Sequence, residues 1–271
     1  MLKTRIITAV ILLAVLLLAI FSGHPLVFTL LVIAFFAAAA WECLRLFGNR
    51  HPAIGAALWT IAFAWLVLFG RIDGPLLPAL CVVIWGLRLA PSLAIGLPPA
   101  GGVGDRLAMG IYGVAILGAF VAVLVLFSRS ALYMFSVMAI VWLADIGAYF
   151  SGKAFGKRKL APSISPGKSW EGAIGGAIVV LLAGVATLAA PALQDTFAVQ
   201  LYLKWGWGGF LAILILMTAA SIVGDLFESQ LKRRAGMKDS SNLLPGHGGV
   251  LDRIDALLPT LPLAVLVSYW M

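Results

Sequence analysis

The chain is a succession of long apolar runs separated by short polar intervals. Each run contains 16 to 21 residues, close to the roughly 20 that an α-helix needs to cross a bilayer. The pattern therefore predicts an all-α polytopic membrane protein with about nine transmembrane helices. The nine predicted spans are 6–21, 26–41, 53–70, 75–90, 107–127, 131–150, 172–190, 208–226 and 256–271.

The fourth run is the weakest of these predictions. It contains Arg88, and four prolines lie inside it or just beyond it, at positions 75, 78, 91 and 98. Proline interrupts helices, and an arginine is costly in the apolar core of a bilayer. A re-entrant or interfacial segment would explain both features, so a count of eight spans stays open.

Composition favours a membrane protein over a soluble one. Hydrophobic residues make up 62% of the 271 positions and charged residues 11%, whereas soluble domains are about one quarter charged. The net charge of +8 is compatible with nucleic acid, anionic lipid or a phosphorylated substrate. The membrane setting favours the last two, so we expect membrane lipids as partners, no nucleic acid, and one integral unit.

Basic residues predict on which side of the membrane the polar intervals lie. With nine alternating spans, sixteen Lys and Arg residues fall on the side of the N-terminus and three on the other. Cytoplasmic loops carry the excess of basic residues. The two richest loops, 151–171 and 227–255, are therefore expected in the cytoplasm.

The stretch from 229 to 255 contains most of the unusual polar chemistry. Such a density of charge is costly beside a bilayer and indicates function. Its glycines let the backbone approach a ligand closely, and its histidine can bind phosphate, exchange a proton or cap the turn. The candidate residues here are Lys232, Arg233, Lys238, His247, Gly248, Gly249, Asp252, Arg253 and Asp255.

A second polar loop follows the sixth span. Asp145 lies inside that span, where a carboxylate must face a polar cavity or a partner. Lys168 stands between Ser165 and Ser169 in the segment SPGKSWEG, whose Pro-Gly pair predicts a turn and whose Ser169 can cap the next helix. A lysine, hydroxyls and N–H groups at a helix N-terminus are typical of an anion site, here for phosphate.

Carboxylates at the end of the eighth span indicate a cation site. Asp225, Glu228, Ser229 and Lys232 share one helix face at i, i+3, i+4 and i+7 spacing. Glu228 and Lys232 can form an ordinary ion pair, whereas Asp225 has no basic residue within four positions. Asp225 is thus a candidate ligand of a divalent cation, with Asp252 as the second carboxylate.

The other carboxylates outside these segments, Glu42, Asp73, Asp105 and Asp195, fall at span ends or in loops. We expect them to be solvated or to face lipid headgroups. The two polar loops thus offer carboxylates for Mg²⁺ and a ring of Lys and Arg for phosphates. This inventory suits phosphoryl or nucleotidyl transfer.

Residues 229–255 resemble the C-terminal signature of the bacterial phosphatidate cytidylyltransferases. They follow the pattern SxLKRxxxxKDxSxxLPGHGGxxDRxD. The upstream segments AYFSGKAFGKRK, ISPGKSWEG and GDLFES also look like blocks of that family, in the expected order. The resemblance covers about 142–255. Residues 1–130 resemble the family only in forming apolar spans.

The resemblance implies a dimeric, all-helical enzyme of the bacterial inner membrane, with a polar cavity facing the cytoplasm. It implies that CTP and phosphatidate give CDP-diacylglycerol and diphosphate, with Mg²⁺ held by Asp225 and Asp252 and room for a second cation such as K⁺. The chain would then divide into N-terminal spans, 1–130, and a catalytic region, 131–271. Residues implied to face the substrates are Asp145, Ser165, Lys168, Ser169, Lys232, Arg233, Lys238, His247 and Asp255.

Four other functions compete with this interpretation. A polyprenol kinase would use similar chemistry, whereas a CDP-alcohol phosphotransferase should display DGxxAR, and the one Asp-Gly pair, at 73–74, is followed by PLL. A transporter for an anionic lipid or nucleotide would use the same basic cavity but catalyse no reaction. Such proteins often show inverted repeats. A purely topogenic protein would have least need of the carboxylates.

Overall fold

The computed structural model describes residues 2–271 as a bundle of helices with one short hairpin. The elements in chain order are α1 (Leu2–Phe21), α2 (Pro25–Leu46), α3 (Pro52–Phe69), α4 (Leu76–Ile84), a π-helical segment (Trp85–Leu89), α5 (Ala90–Ile95), α6 (Val103–Arg129), α7 (Ala131–Phe155), β1 (Lys159–Ala161), β2 (Ser165–Ser169), α8 (Trp170–Leu188), a 3₁₀ turn (Pro191–Leu193), α9 (Phe197–Arg234), α10 (Leu251–Ile254) and α11 (Leu257–Ser268).

The prediction of an all-helical, polytopic membrane protein is confirmed. Within residues 2–271, seven helical segments are long and apolar enough to cross a membrane, and the weak fourth run is among them as Leu76–Ile95. The first and ninth runs form shorter apolar helices, Ile6–Phe21 and Leu257–Ser268. The choice between eight and nine spans stays a prediction.

The polar segments meet at one end of the bundle. There, Glu42 at the end of α2 accepts a hydrogen bond from Ser240, and Arg234 at the end of α9 pairs with Asp105 at the start of α6. At the opposite end, Ser130 donates to Asp195, and the Tyr269 hydroxyl accepts from the backbone of a loop after α3. Helices that alternate in direction account for both sets of contacts.

Helix α11 forms the centre of the bundle and packs against α4, α6, α7 and α9. All nine residues from 257 to 265 are buried. Its 12 residues extend only about 18 Å, less than the roughly 30 Å of a hydrocarbon core. Since neighbouring helices enclose α11, its length does not have to match the bilayer.

Small residues allow α7 and α8 to approach each other closely. A Cβ atom added to Gly176 would lie 2.6 Å from the Ala144 carbonyl oxygen, and one added to Gly147 would lie 2.9 Å from the Cβ of Val179. Membrane helices commonly pack through such small residues spaced four apart. The close contact fixes the position of the loop that joins the two helices.

Two local predictions need correction. The Pro-Gly pair at 166–167 lies in strand β2, and the hairpin turn instead occupies 162–164, because β1 and β2 pair in antiparallel fashion. Helix α9 extends well beyond the predicted span 208–226 at both ends, with a kink at Gly206, whose φ is 60°. The C-terminal extension is polar and lies beyond the apolar run, whereas Gln200, Lys204 and the glycines near the kink interrupt the apolar pattern at the N-terminal end.

Candidate active site

A polar cavity of about 490 Å³ opens between α7, α8, α9 and the β-hairpin. Closely packed α7 and α8 form one wall of the cavity, which Gly152, Gly172 and Gly176 line. Five of the predicted site residues line it: Asp145, Ser165, Lys168, Ser169 and Asp225. Residues from two distant polar segments of the sequence therefore share one cavity.

An ion pair crosses this cavity. The Lys168 Nζ lies 2.6 Å from the Asp225 Oδ2, and both side chains are partly exposed. The other oxygen of Asp225 accepts a hydrogen bond of 3.2 Å from the Ser229 hydroxyl. Strand β2 thus brings a lysine opposite the carboxylate that has no basic neighbour along its own helix.

Ser169 has the capping role that the sequence predicted. Its hydroxyl oxygen accepts a hydrogen bond of 3.1 Å from the backbone N–H of Gly172, at the start of α8. Glu171 accepts from the backbone N–H groups of Lys157 and Arg158. These contacts close the loop around Lys168 and hold the hairpin against the helix.

A second cluster forms around Asp252. Its Oδ2 accepts hydrogen bonds from the backbone N–H and hydroxyl of Ser240 and from the backbone N–H of Gly249, at 2.8 to 2.9 Å. Its Oδ1 lies 2.6 Å from the Lys232 Nζ. Burial acts to raise the pKa of Asp252, but Lys232 and these donors outweigh it and hold the pKa below its usual value.

The position of Glu42 contradicts the expectation that this carboxylate is solvated. Its side chain is fully buried, at 0% exposure. It accepts hydrogen bonds from the hydroxyls of Ser240 and Ser241, at 3.1 and 2.5 Å, and from the backbone N–H groups of Val250 and Leu251, at 2.9 and 2.7 Å. Four donors lie within hydrogen-bond distance of this carboxylate, so α2 anchors both sides of the glycine-rich turn, residues 246–249.

Asp105 also departs from that expectation, at 3% exposure. Its Oδ1 lies 2.7 Å from the Arg234 Nη1, and the guanidinium of Arg234 also stacks 4.7 Å above the ring of Phe47. A buried carboxylate needs such a partner because an unpaired charge is costly away from water. Asp73 and Asp195 are exposed, in agreement with the expectation.

Acidic side chains connect the cavity to the second cluster. Burial, followed by the nearby charge of Asp225, raises the pKa of Asp255 to about 7. Glu228 is fully buried and its Oε2 lies 2.8 Å from the Lys232 Nζ. Its Oε1 is buried without a hydrogen-bond partner among the described residues. Carboxyl groups are thus concentrated around Lys232 and next to the cavity.

The remaining predicted residues lie outside the cavity. Arg233 and Lys238 are exposed to solvent and do not line the cavity. The guanidinium of Arg253 donates from Nε and Nη2 to the His247 carbonyl oxygen, at 3.0 and 2.7 Å. A Cβ on Gly248 would lie 2.7 Å from the Asp252 Oδ2. Close packing on this carboxylate is therefore sufficient to require glycine there.

The donor set suits a magnesium ion shared with phosphates. No group of three or more His, Cys, Asp or Glu side chains arranged to hold a metal occurs within residues 2–271. Mg²⁺ is commonly bound by one or two carboxylates together with substrate phosphates. Asp225 fits this role because it faces the cavity, whereas Asp252 does not line it. To hold the ion, Asp225 would have to exchange its contact with Lys168, and Asp252 its contact with Lys232.

The fold and the site together define a multi-pass membrane protein with a polar, phosphate-suited cavity at one end of its helices. The comparison of its sequence with known families agrees with this class. The chain matches the profile of the Cytidylyltransferase family over residues 3–271 and belongs to that family.

Relatives of nearly equal length carry the name phosphatidate cytidylyltransferase. The protein of Pseudomonas aeruginosa is 44% identical over 275 residues, covering 97% of this chain and 95% of the relative. That of Haemophilus influenzae is 38% identical over 287 residues, covering 97% and 96%. That of Bacillus subtilis is 42% identical over 130 residues, covering 48% and 45%.

Proposed function

We propose that this protein transfers CMP from CTP to phosphatidate, giving CDP-diacylglycerol and diphosphate for phospholipid biosynthesis. The similarity of the whole chain to the Pseudomonas aeruginosa enzyme carries the proposal. The geometry supports it, because Lys168 and Asp225 face one cavity of sufficient volume for a nucleotide. The reaction joins two anions, and this cavity contains both a cation and a carboxylate.

The chemistry follows from the charges of the reactants. A phosphatidate oxygen, already ionised at neutral pH, attacks the α-phosphorus of CTP in line, and the bond to the diphosphate oxygen breaks. No strong general base is needed, so positioning and charge neutralisation dominate catalysis. Lys168 at the cavity wall and Lys232 behind Asp252 are the cations that would offset the repulsion.

Asp225 and Asp252 would hold Mg²⁺, and a second cation such as K⁺ would find carboxylates in Glu228 and Asp255. When bound, Mg²⁺ supplies positive charge to the phosphate oxygens. Lys168 pairs with Asp225 and Lys232 pairs with Asp252 in the structure. Lys168 and Lys232 would donate to the phosphate oxygens of the substrates.

We further propose the bacterial inner membrane as the location, with the cavity on the cytoplasmic side, and a homodimer without nucleic-acid partners. The excess of basic residues on the polar side supports this orientation. CTP is a cytoplasmic nucleotide, so the same orientation gives it access to the site. Bacterial relatives support the assignment to a bacterial membrane.

The experiment measures transfer of radiolabel from CTP into the lipid phase by purified protein supplied with phosphatidate and Mg²⁺. We expect lipid-linked label that disappears with EDTA and in Asp225→Asn. Asp225→Asn is a more specific test than Asp252→Asn, because Asp252 also accepts a hydrogen bond from the backbone of Ser240 and so holds that loop in place. Asp73→Asn, an exposed carboxylate, is the matched control and should retain full activity. Label that stays in water would refute the proposal and favour a kinase or a transporter.

A further inference from the structure

A second cavity, of about 500 Å³, lies between α1, α2, α6, α7 and α11. Its wall is apolar along most of its length, from Phe28 and Met134 to Trp142. Two polar residues, His247 and Arg253, line it as well, and both belong to the glycine-rich turn and the segment after it. We name this cavity the α7 groove.

The α7 groove and the polar cavity lie on one stripe of α7. Phe135, Met138 and Trp142 line the groove, and Asp145, Tyr149 and Gly152 line the cavity. Successive members of this series are separated by three, four, three, four and three residues, which places them along one side of the helix. The stripe extends over about 26 Å and leads from apolar to polar surroundings.

The polar end of the groove has unused hydrogen-bonding capacity. The Nδ1 of His247 is buried without a partner in the described part of the chain. Arg253 is exposed and donates from Nε and Nη2 to the His247 carbonyl oxygen, which holds its guanidinium beside the groove. The Thr8 hydroxyl donates to the Pro245 carbonyl and fastens α1 over this end.

We propose that the α7 groove holds an acyl chain of phosphatidate, with the lipid phosphate at the end formed by His247 and Arg253. Charge complementarity supports an anionic lipid, since a basic end adjoins a long apolar wall. The stripe on α7 then guides the phosphate toward Asp145 and the polar cavity. This inference rests on the proposed function and identifies where its lipid substrate is recognised.

The first test narrows the groove. Met138→Trp places a larger side chain on its wall, and we expect kcat/KM for dipalmitoyl phosphatidate to fall by about tenfold, which corresponds to roughly two lost buried methylenes. Turnover of dioctanoyl phosphatidate and the KM for CTP should change little. Ile146→Trp is the matched control, because Ile146 is 52% exposed on the same helix and lines neither cavity.

The second test is a direct binding measurement that needs no turnover. Wild-type protein is photolabelled with phosphatidate bearing a diazirine at the end of one acyl chain, and the labelled peptides are mapped. We expect label on groove-lining segments, reduced by excess phosphatidate but not by phosphatidylcholine. Equal competition by both lipids would indicate unspecific lipid contact and overturn the proposal.

The two tests separate this inference from the proposed function. Wild-type turnover together with an unchanged chain-length preference in a folded Met138→Trp variant would refute the groove and leave the cytidylyltransferase activity intact. Specific photolabelling of the groove without any turnover would retain the lipid site and refute the activity. Label confined to the outer faces of the helices would refute the groove alone.

Discussion

Two buried carboxylates, Glu42 and Asp252, hold the glycine-rich turn from opposite sides. The Ser240 hydroxyl lies within hydrogen-bond distance of both carboxylates and can donate its single hydrogen to either one. Asp252 also accepts from the backbone N–H of Gly249, and Glu42 accepts from that of Val250. A carboxylate is required where every neighbour is a donor, because it alone offers acceptors on both oxygens. The position of Asp252 therefore depends on a residue 210 positions earlier in the chain.

Glu42→Gln should lower both stability and activity, although it preserves size. The amide places an NH₂ group against donors from Ser241, Val250 or Leu251, so at least one buried donor loses its acceptor. Each such loss costs about 1–3 kcal/mol. Thermal unfolding in detergent and CTP turnover measure the effect. Unaltered unfolding and turnover would show that these contacts do not organise the site.

Lys168→Ala tests whether this lysine faces phosphate. We expect kcat/KM for CTP to fall by on the order of 10², the scale of losing one pre-positioned charge donor. Lys157→Ala is the matched control, since Lys157 belongs to the same loop but does not line the cavity. If both variants show wild-type kinetics, Lys168 only contributes to the basic character of the loop.

At the scale of elements, the packing of α7 on α8 determines where the polar cavity forms. The two helices place Ala144, Gly147 and Gly176 in direct contact, which leaves no space for larger side chains. The loop between them then folds back as a hairpin and brings Lys168 to Asp225. A change in helix separation should therefore alter the site without removing any polar group.

Gly176→Ala should destabilise the protein, because its new Cβ would overlap the Ala144 carbonyl oxygen. Overpacking of this kind typically costs about 1–3 kcal/mol. Gly110→Ala is the control, since a Cβ there meets nothing within 4 Å, and alanine is the better helix former. A lower midpoint of thermal unfolding in the first variant and an equal or higher one in the second are expected. Equal midpoints would contradict close α7–α8 packing.

For the whole molecule, apolar run length predicted the helical membrane fold and the order of its spans, because bilayer thickness imposes that length on each helix. The local motifs also predicted the cap at Ser169 and the shared face of Asp225 and Ser229. These features depend on residues close in sequence, and the pattern of the chain contains them.

The sequence did not predict the role of Glu42, because its partners are 198 to 209 residues away. The one sequence feature that indicated a role for Glu42 was its position directly after an apolar run, where carboxylates are rare. The pairing of Asp105 with Arg234 likewise requires the contact of α6 with α9, which no local pattern specifies. The hairpin escaped prediction because its strands have only three and five residues and the second contains a Pro-Gly pair, which is typical of a turn.

The orientation of the whole molecule can be tested by labelling single cysteines in intact cells. The protein has two native thiols, at 43 and 81, and both are buried. They are replaced first, so that each labelled variant contains a single cysteine. Lys204→Cys, on the side with three basic residues, should react with an impermeant maleimide from outside, whereas Lys159→Cys should react only after the membrane is opened. The reverse pattern would place the polar cavity on the outer face, where CTP has no access, and would refute the proposed orientation together with the reaction that depends on it.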